Sequence, residues 1–273
     1  MVHTVGIVGV SGNVGAPTAK YLAQAAGEGK IKLVLFHRAN SDTSAIPGGQ
    51  SVELRVLEFD DSPEKIKEAV KGVNVFISAV GFGALPTEPN LVEGLALSPD
   101  LVTYIPSVYS TTWTEEDFEH PQLGQVISFL HTGWEKAKDK KIGVTPVFTG
   151  VFDLYWFAYG TLDHLGAALA RIASADPQSI KNREYSVVSF WPTGNELKDL
   201  YTKVNGKEAQ VKDFTQADYE AQMADGANFG PAKAGYWQKW QDNSYGYEAD
   251  GRTSDKAYSG PCLEEVARVF AKV

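Results

Sequence analysis

The feature that most constrains this chain is Gly9-Val10-Ser11-Gly12-Asn13-Val14-Gly15, set between the apolar run Val5 to Gly9 and the helix-like stretch Ala16 to Ala26. Each glycine has a physical task. Gly9 permits a tight turn at the end of a strand, and Gly12 lets a ligand's diphosphate come close to the backbone. Gly15 lets helix and strand pack closely, while the helix start offers amide donors and the positive end of its dipole. A bare glycine pattern also occurs in turns that hold no ligand. Its position here, first in the chain and between strand and helix, points to a dinucleotide, with Ser11, Asn13 and Val14 completing the cradle.

The segments that follow alternate in the same way. Ile31 to Phe36, Val52 to Phe59, Val73 to Val80, Leu101 to Ile105 and Val144 to Thr149 read as strands. Ser62-Pro63-Glu64 opens a helix with a capping residue and a proline in its first turn, and one long helix is expected from about Gln125 to Lys141. Strand-helix alternation implies an α/β fold with a doubly wound parallel sheet and right-handed crossovers. After Gly150 the pattern changes. Aromatic residues crowd together, Tyr185 to Trp191 reads as a strand, Asn195 to Val204 as a helix and Leu263 to Val273 as a closing amphipathic helix. We therefore expect a cofactor-binding domain over residues 1–150 and a smaller substrate lobe over 151–273, interleaved with the sheet.

The end of the second strand bears on which nucleotide fits. Sites for the unphosphorylated cofactor usually place an acid there for the ribose hydroxyls. This strand ends Phe36-His37-Arg38. The planar fork of Arg38 can pair with a 2′-phosphate and His37 can add a contact, so the chemistry favours NADPH. The alternative is a solvated surface arginine. Asp60, after the third strand, is expected near the adenine end. Val80, Gly81 and Phe82 are expected to line the cofactor after the fourth strand, and Ser107 after the fifth.

Composition removes other classes. A formal net charge of −9 argues against gripping nucleic acid through its phosphates. The single Cys262 cannot form an internal disulfide. No stretch approaches the roughly 20 apolar residues of a membrane span, so the expectation is a cytoplasmic protein without membrane contact. The histidines show no paired ligand spacing, so no metal site is expected. Absence of a Gly-x-Ser-x-Gly elbow makes a serine hydrolase a poor reading. Oligomeric state is left open.

Taken together, the glycine turn, Arg38, the strand Val75 to Gly81, Ile105-Pro106-Ser107, Gly143-Val144, and Asn195-Glu196-Leu197 followed by Val204 to Lys207 resemble the NmrA-like branch of the atypical short-chain dehydrogenases. That branch includes the isoflavone reductases and phenylcoumaran benzylic ether reductases. The resemblance implies a Rossmann-type domain with a small C-terminal substrate lobe. It also implies a lysine, on the helix after the fifth strand, that holds or protonates the substrate. Counting back from Gly143 and forward from Phe129, that position is Thr132.

A threonine hydroxyl is a poor proton source near neutral pH. His131 titrates near neutrality in its ordinary state, Lys136 stacks one turn beyond Thr132, and Tyr155 can point into a cleft. Each has a plainer explanation: a hydrogen-bonded boundary histidine, a solvated lysine-rich helix end, and an aromatic core residue. The Tyr-x-x-x-Lys pair of ordinary short-chain dehydrogenases is missing, because Trp113 stands four positions after Tyr109. Tyr109, Phe152, Trp156 and Trp191 are candidate walls for a flat substrate.

Two functions of different classes follow. The first is an NADPH-dependent reductase of a small aromatic or polycyclic molecule, with His131 as the candidate proton donor. The second is a cofactor-binding redox sensor or regulator without turnover, which the missing lysine motivates. A scaffold recruited for a non-redox isomerisation or cyclisation is a third reading.

Overall fold

The structure, a computed structural model, describes residues 2–44, 46–49, 51–150, 161–189, 193–226 and 229–241. The first strand, β1 (Thr4–Val8), runs into the glycine turn and then α1 (Gly15–Gly27), followed by β2 (Lys32–His37) and β3 (Val52–Val56). Next come α2 (Pro63–Ala69), β4 (Val75–Ser78), a 3₁₀ turn (Phe82–Thr87), α3 (Glu88–Ala96) and β5 (Thr103–Ile105). The five strands form one parallel sheet in the order β3-β2-β1-β4-β5. The order reverses beside β1, the place where such sheets open a crevice beyond their carboxyl ends.

Burial explains the strand sequences. The residues of β4 are all buried, and β1 and β2 are buried apart from their first residues and His37, so these strands read as nearly continuous apolar runs. Edge strand β3 leaves Glu53, Leu54 and Val56 exposed. Phe36, Phe76 and Tyr104 pack ring against ring across β2, β4 and β5, with centroids 5.3 and 6.4 Å apart. The Ser62 hydroxyl accepts from the Lys65 amide and caps α2, as its sequence signature requires.

The chain continues through α4 (Glu115–Glu119), α5 (Leu123–Leu130), α6 (Thr132–Asp139), β6 (Val147–Phe148), α7 (Leu162–Ser174), α8 (Pro177–Ile180) and β7 (Tyr185–Ser186). It then forms α9 (Gly194–Asn205), α10 (Gln216–Ala224) and α11 (Gly230–Gln241). The long helix expected over Gln125 to Lys141 is two helices. His131 leaves helical geometry at φ −106° and ψ 10°, and its carbonyl accepts the first amide bond of α6 from Glu135 at 2.9 Å. The sixth strand is also shorter than expected: Val144 bridges to Tyr104, and β6 pairs with β7.

Contacts divide the chain into two units, each assembled from several stretches of sequence. One compact unit comprises Met1–Tyr109, Phe129–Phe148 and Leu165–Tyr185, and the other Ser110–Ser128, Thr149–His164 and Ser186–Val273. Chain beyond 150 returns to the first unit because α7 packs closely there. A side chain at Gly166 would meet the backbone of Pro17 and Thr18 at 2.7–2.8 Å.

Within the second unit, Leu123, Ile127, Met223 and Ala234 form a small core with Trp113, Phe118 and Tyr219 against it. The buried Lys239 pairs with Asp117 at 2.9 Å and lies over the Trp113 ring. Thr193 and Glu196 form a reciprocal capping box at the start of α9, and Gly206 ends that helix in the left-handed conformation, φ 66°. Trp237 packs between Phe214 and Trp240, so this pair of tryptophans is a packing element. Leu263 to Val273 and Cys262 lie outside the described residues.

Candidate functional site

The glycine turn begins where β1 ends. Gly9 has φ +83°, a conformation that other residues adopt at a cost, and a side chain there would collide with the Ala79 carbonyl. A side chain at Gly15 would collide with the Gly9 carbonyl oxygen, so α1 starts directly against the strand end. Gly12 donates its amide to the Gly9 carbonyl at 2.9 Å and is exposed, as are Ser11 and Asn13. At the start of α1, Val14 provides no side-chain cap and the first turn holds no acid. The amide donors and positive dipole end are therefore left for an anion from outside the chain. These residues fit a dinucleotide diphosphate.

At the end of β2, Arg38 is exposed and His37 half-buried. The His37 ring bonds the backbone, its Nδ1–H donating to the Arg38 carbonyl at 2.9 Å. Sequence reasoning overlooked Glu58, whose carboxylate accepts the Ala39 amide at 2.7 Å. A search for an acid on β2 misses it because it comes from just beyond β3. Asp60 lies exposed in the next loop, which Asn90 ties down by donating to the Phe59 and Asp61 carbonyls at 2.6 and 2.9 Å. Gly81 and Phe82 are exposed after β4, and Val80 is half-buried.

Beyond the ends of β4 and β5 lies a buried polar cluster. The Ser107 hydroxyl donates to the Val80 carbonyl at 2.8 Å and ties the two strand ends together. Glu88, the first residue of α3, has 0% exposure. Its Oε1 accepts from the Tyr104 phenol at 2.7 Å and from the Ser107 amide at 3.3 Å. Its Oε2 has no hydrogen-bond partner among the described residues and faces Gly133, where a side chain would collide with it. Burial raises the Glu88 pKa above the ordinary value, against the opposing pull of the Ser78 and Tyr104 hydroxyls and the Ser107 amide. The Ser78 hydroxyl acts by proximity, since it lies outside hydrogen-bonding geometry. Glu88 was not singled out from the sequence. Its only signal is an acid opening a helix, which ordinarily means a solvated helix start.

Tyr109, expected against a substrate, turns inward. Its phenol donates to the Ser78 carbonyl at 2.6 Å, and burial, then the Glu88 charge, pushes its pKa well up. The Thr132 hydroxyl donates to the Leu85 carbonyl at 3.1 Å. Lys136 is held by Glu93 at 2.6 Å, and Lys140 pairs with the same carboxylate. His131 is 1% exposed and packs edge-on to Trp134 at 5.2 Å. Burial, with a smaller contribution from the Lys138 charge, lowers its pKa to about 4. A ring with that pKa is neutral at pH 7, which weighs against His131 as the proton donor. Tyr155, Phe152, Trp156 and Trp191 lie outside the described residues. His131 and Thr132 sit at the start of α6 and Lys136 one turn further along it, with Thr132 committed to Leu85 and Lys136 to Glu93.

Among the described residues, no group of three or more His, Cys, Asp or Glu side chains could hold a metal ion. No helix there is long and apolar enough to cross a membrane.

The parallel sheet, its strand order and the glycine turn define a Rossmann-type fold of the kind found in isoflavone reductase-like structures. A crystal structure of isoflavone reductase superimposes with a TM-score of 0.76 at 15% identity, covering 99% of this chain and 100% of that one. A structure of AtPrR2 with NADP+ and (+)pinoresinol gives 0.73 at 17% identity, covering 99% of both chains. The Citrobacter sp. triphenylmethane reductase complexed with NADP(H) gives 0.66 at 16% identity, covering 97% of this chain and 99% of that one. No protein-family model and no curated protein sequence matches the chain.

Proposed function

We propose that this chain binds NADPH and reduces a small aromatic or polycyclic organic molecule. The observation that carries the reading is the start of α1, uncapped and free of acid, behind a glycine turn in which side chains at Gly9 and Gly15 are sterically excluded. Arg38, exposed at the end of β2, supplies a partner for one further phosphate. The neighbours in fold agree with both halves: AtPrR2 was solved with NADP+ and (+)pinoresinol, and the triphenylmethane reductase with NADP(H).

In this reading the amides of Asn13 to Gly15 hold the diphosphate, and Val80, Gly81 and Ser107 border the nicotinamide end. When bound, the cofactor supplies hydride. The chain orients it and keeps the Ser107 hydroxyl on the Val80 carbonyl, so the floor under that end is rigid. The test is titration of purified protein with NADPH and NADH, then turnover on quinones, enones and aromatic ketones. NADPH should bind and be consumed by at least one substrate class. Arg38→Ala should weaken NADPH about 10-fold or more, the size of a lost charge-assisted contact, and leave NADH nearly unchanged.

A second reading, a cofactor-binding regulator without turnover, is favoured by one observation. Thr132 and Lys136 are committed to Leu85 and Glu93, and His131 is neutral at pH 7. Tight NADPH binding with no consumption across the panel, and a partner complex that follows cofactor oxidation state, would select it over the reductase.

A further inference from the structure

We propose that Glu58 is a positioning residue for cofactor selectivity: by fixing the peptide that follows Arg38, it aims the guanidinium at the 2′-phosphate of NADPH. The inference deepens the functional reading above and rests on it.

The Arg38–Ala39 peptide is held on both sides. Its carbonyl accepts from the His37 ring at 2.9 Å and from the Ser41 amide at 3.0 Å. Its N–H donates to the Glu58 carboxylate at 2.7 Å. The ladder between β2 and β3 runs up to this point, because Leu57 donates to the His37 carbonyl at 2.9 Å and so delivers Glu58 beside residue 39. Three groups thus fix one exposed turn, yet the Arg38 side chain that springs from it is itself exposed. Exposed backbone amides are ordinarily satisfied by water, so structure alone asks for no carboxylate here. What the arrangement provides is a fixed origin for a long, flexible cation. A guanidinium whose backbone is held loses less freedom on meeting a phosphate, and that advantage applies only to the phosphorylated nucleotide.

The arrangement also answers a charge problem. A carboxylate at the ribose end would repel a 2′-phosphate, as the acid of NAD-selective sites does. The bond to the Ala39 amide turns one oxygen of Glu58 into the backbone, where its charge is partly neutralised and its geometry is set.

The experiment measures dissociation constants of the full chain for NADPH and NADH, by calorimetry or cofactor fluorescence, in wild type, Glu58→Ala, Glu58→Gln and His37→Ala. Glutamine can still accept the amide through its carbonyl, so it is the conservative rescue. Glu58→Ala should lower the NADPH-over-NADH affinity ratio by about 5-fold, through NADPH alone, and His37→Ala should act in the same direction. Glu58→Gln should hold the ratio within about 2-fold of wild type or raise it. An unchanged ratio in Glu58→Ala overturns the inference, as does a raised ratio, which would mean that the carboxylate chiefly repels phosphate. Loss in Glu58→Gln equal to that in Glu58→Ala overturns it too. Should Glu58→Ala unfold, the Gln and His37 variants decide. If wild type binds neither nucleotide, the functional reading itself fails, which is a different result.

Discussion

The glycine turn and the Glu88 cluster both lie beyond strand ends of the same sheet, and they treat their polar groups in opposite ways. At the turn, the start of α1 carries amides that no side chain caps, and three consecutive residues, Ser11 to Asn13, are exposed. At the Glu88 cluster, the phenol, hydroxyl and amide of Tyr104, Tyr109 and Ser107 are bonded to other groups of the chain. An end with open donors is arranged for a ligand's charge. An end whose donors are already used is arranged to hold its own shape. The difference separates binding from stability, and substitutions at each end should affect one more than the other.

The largest expected effect is at Gly15. A valine there would overlap the Gly9 carbonyl, and the nearest atoms are all backbone of Gly9 and Val10, with nothing flexible to yield. Gly15→Val should cost about 3 kcal/mol or more and abolish NADPH binding. Thermal unfolding and nucleotide titration check it. Gly12→Ala sharpens the comparison. Its added methyl would sit 3.3 Å from the Gly9 carbonyl oxygen, a tight contact that a small shift relieves. It should therefore keep the fold and lose affinity, because the methyl stands where a diphosphate must approach. If both variants retain NADPH, the turn is not the binding element.

Glu88 should show the reverse. Glu88→Ala leaves the Tyr104 phenol without its acceptor in a buried hole, at a cost of about 3 kcal/mol, with NADPH affinity changed far less. Glu88→Gln keeps an acceptor and should cost under about 1 kcal/mol. The pH dependence has a definite sign. Because the folded-state pKa of Glu88 is raised, its contribution is complete below the ordinary value of 4.5 and is lost as pH rises through the folded value. Glu88→Gln should remove that loss. A stability-versus-pH curve identical to wild type would mean that Glu88 ionises in the fold as it does in the unfolded chain.

His131 works in the opposite direction. Its pKa falls from 6.5 to about 4 on folding, so the stability it contributes is complete above 6.5 and disappears as pH falls through 4. Across that window the buried ring accounts for roughly 3 kcal/mol. His131→Leu should flatten the acid limb of the stability curve and leave any turnover between pH 6 and 8 without a new titration. A kcat profile that loses an ionisation near neutrality in this variant would restore His131 as a proton donor.

The two ends also differ in how readable they were. The turn was legible because its requirement is local: glycines at fixed spacing between a strand and a helix, each needed by backbone close by. The parallel sheet followed from the alternation of strands and helices, whereas the order of its strands was not read from the sequence. The Glu88 cluster was not legible, because Glu88, Tyr104 and Gly133 meet only once α3, β5 and α6 are packed. Read along the chain, Glu88 is a helix-opening acid and Gly133 an unremarked small residue. The break at His131 was hidden for a related reason. Apolar periodicity runs through it, and only the burial of the ring against Trp134 accompanies the turn of the backbone there.

Thr132 offers the finest test, because it stands next to Gly133 and so borders the Glu88 cluster while occupying the position where the resemblance calls for lysine. Its hydroxyl hydrogen is used on the Leu85 carbonyl, which links the start of α6 to the 3₁₀ turn. A group so occupied serves the scaffold. Thr132→Val, close in shape, should cost about 1 kcal/mol, the net worth of one neutral hydrogen bond, and leave both NADPH affinity and turnover within about 2-fold of wild type. Thr132→Lys should cost a similar amount while placing an ammonium at the same helix start. If proton delivery limits the reaction, that variant should raise kcat by about 10-fold without a matching change in the NADPH dissociation constant. A large fall in kcat for Thr132→Val, with stability and cofactor binding intact, would show that the hydroxyl leaves Leu85 to reach the substrate, and the line drawn between the binding end and the scaffold end would have to move.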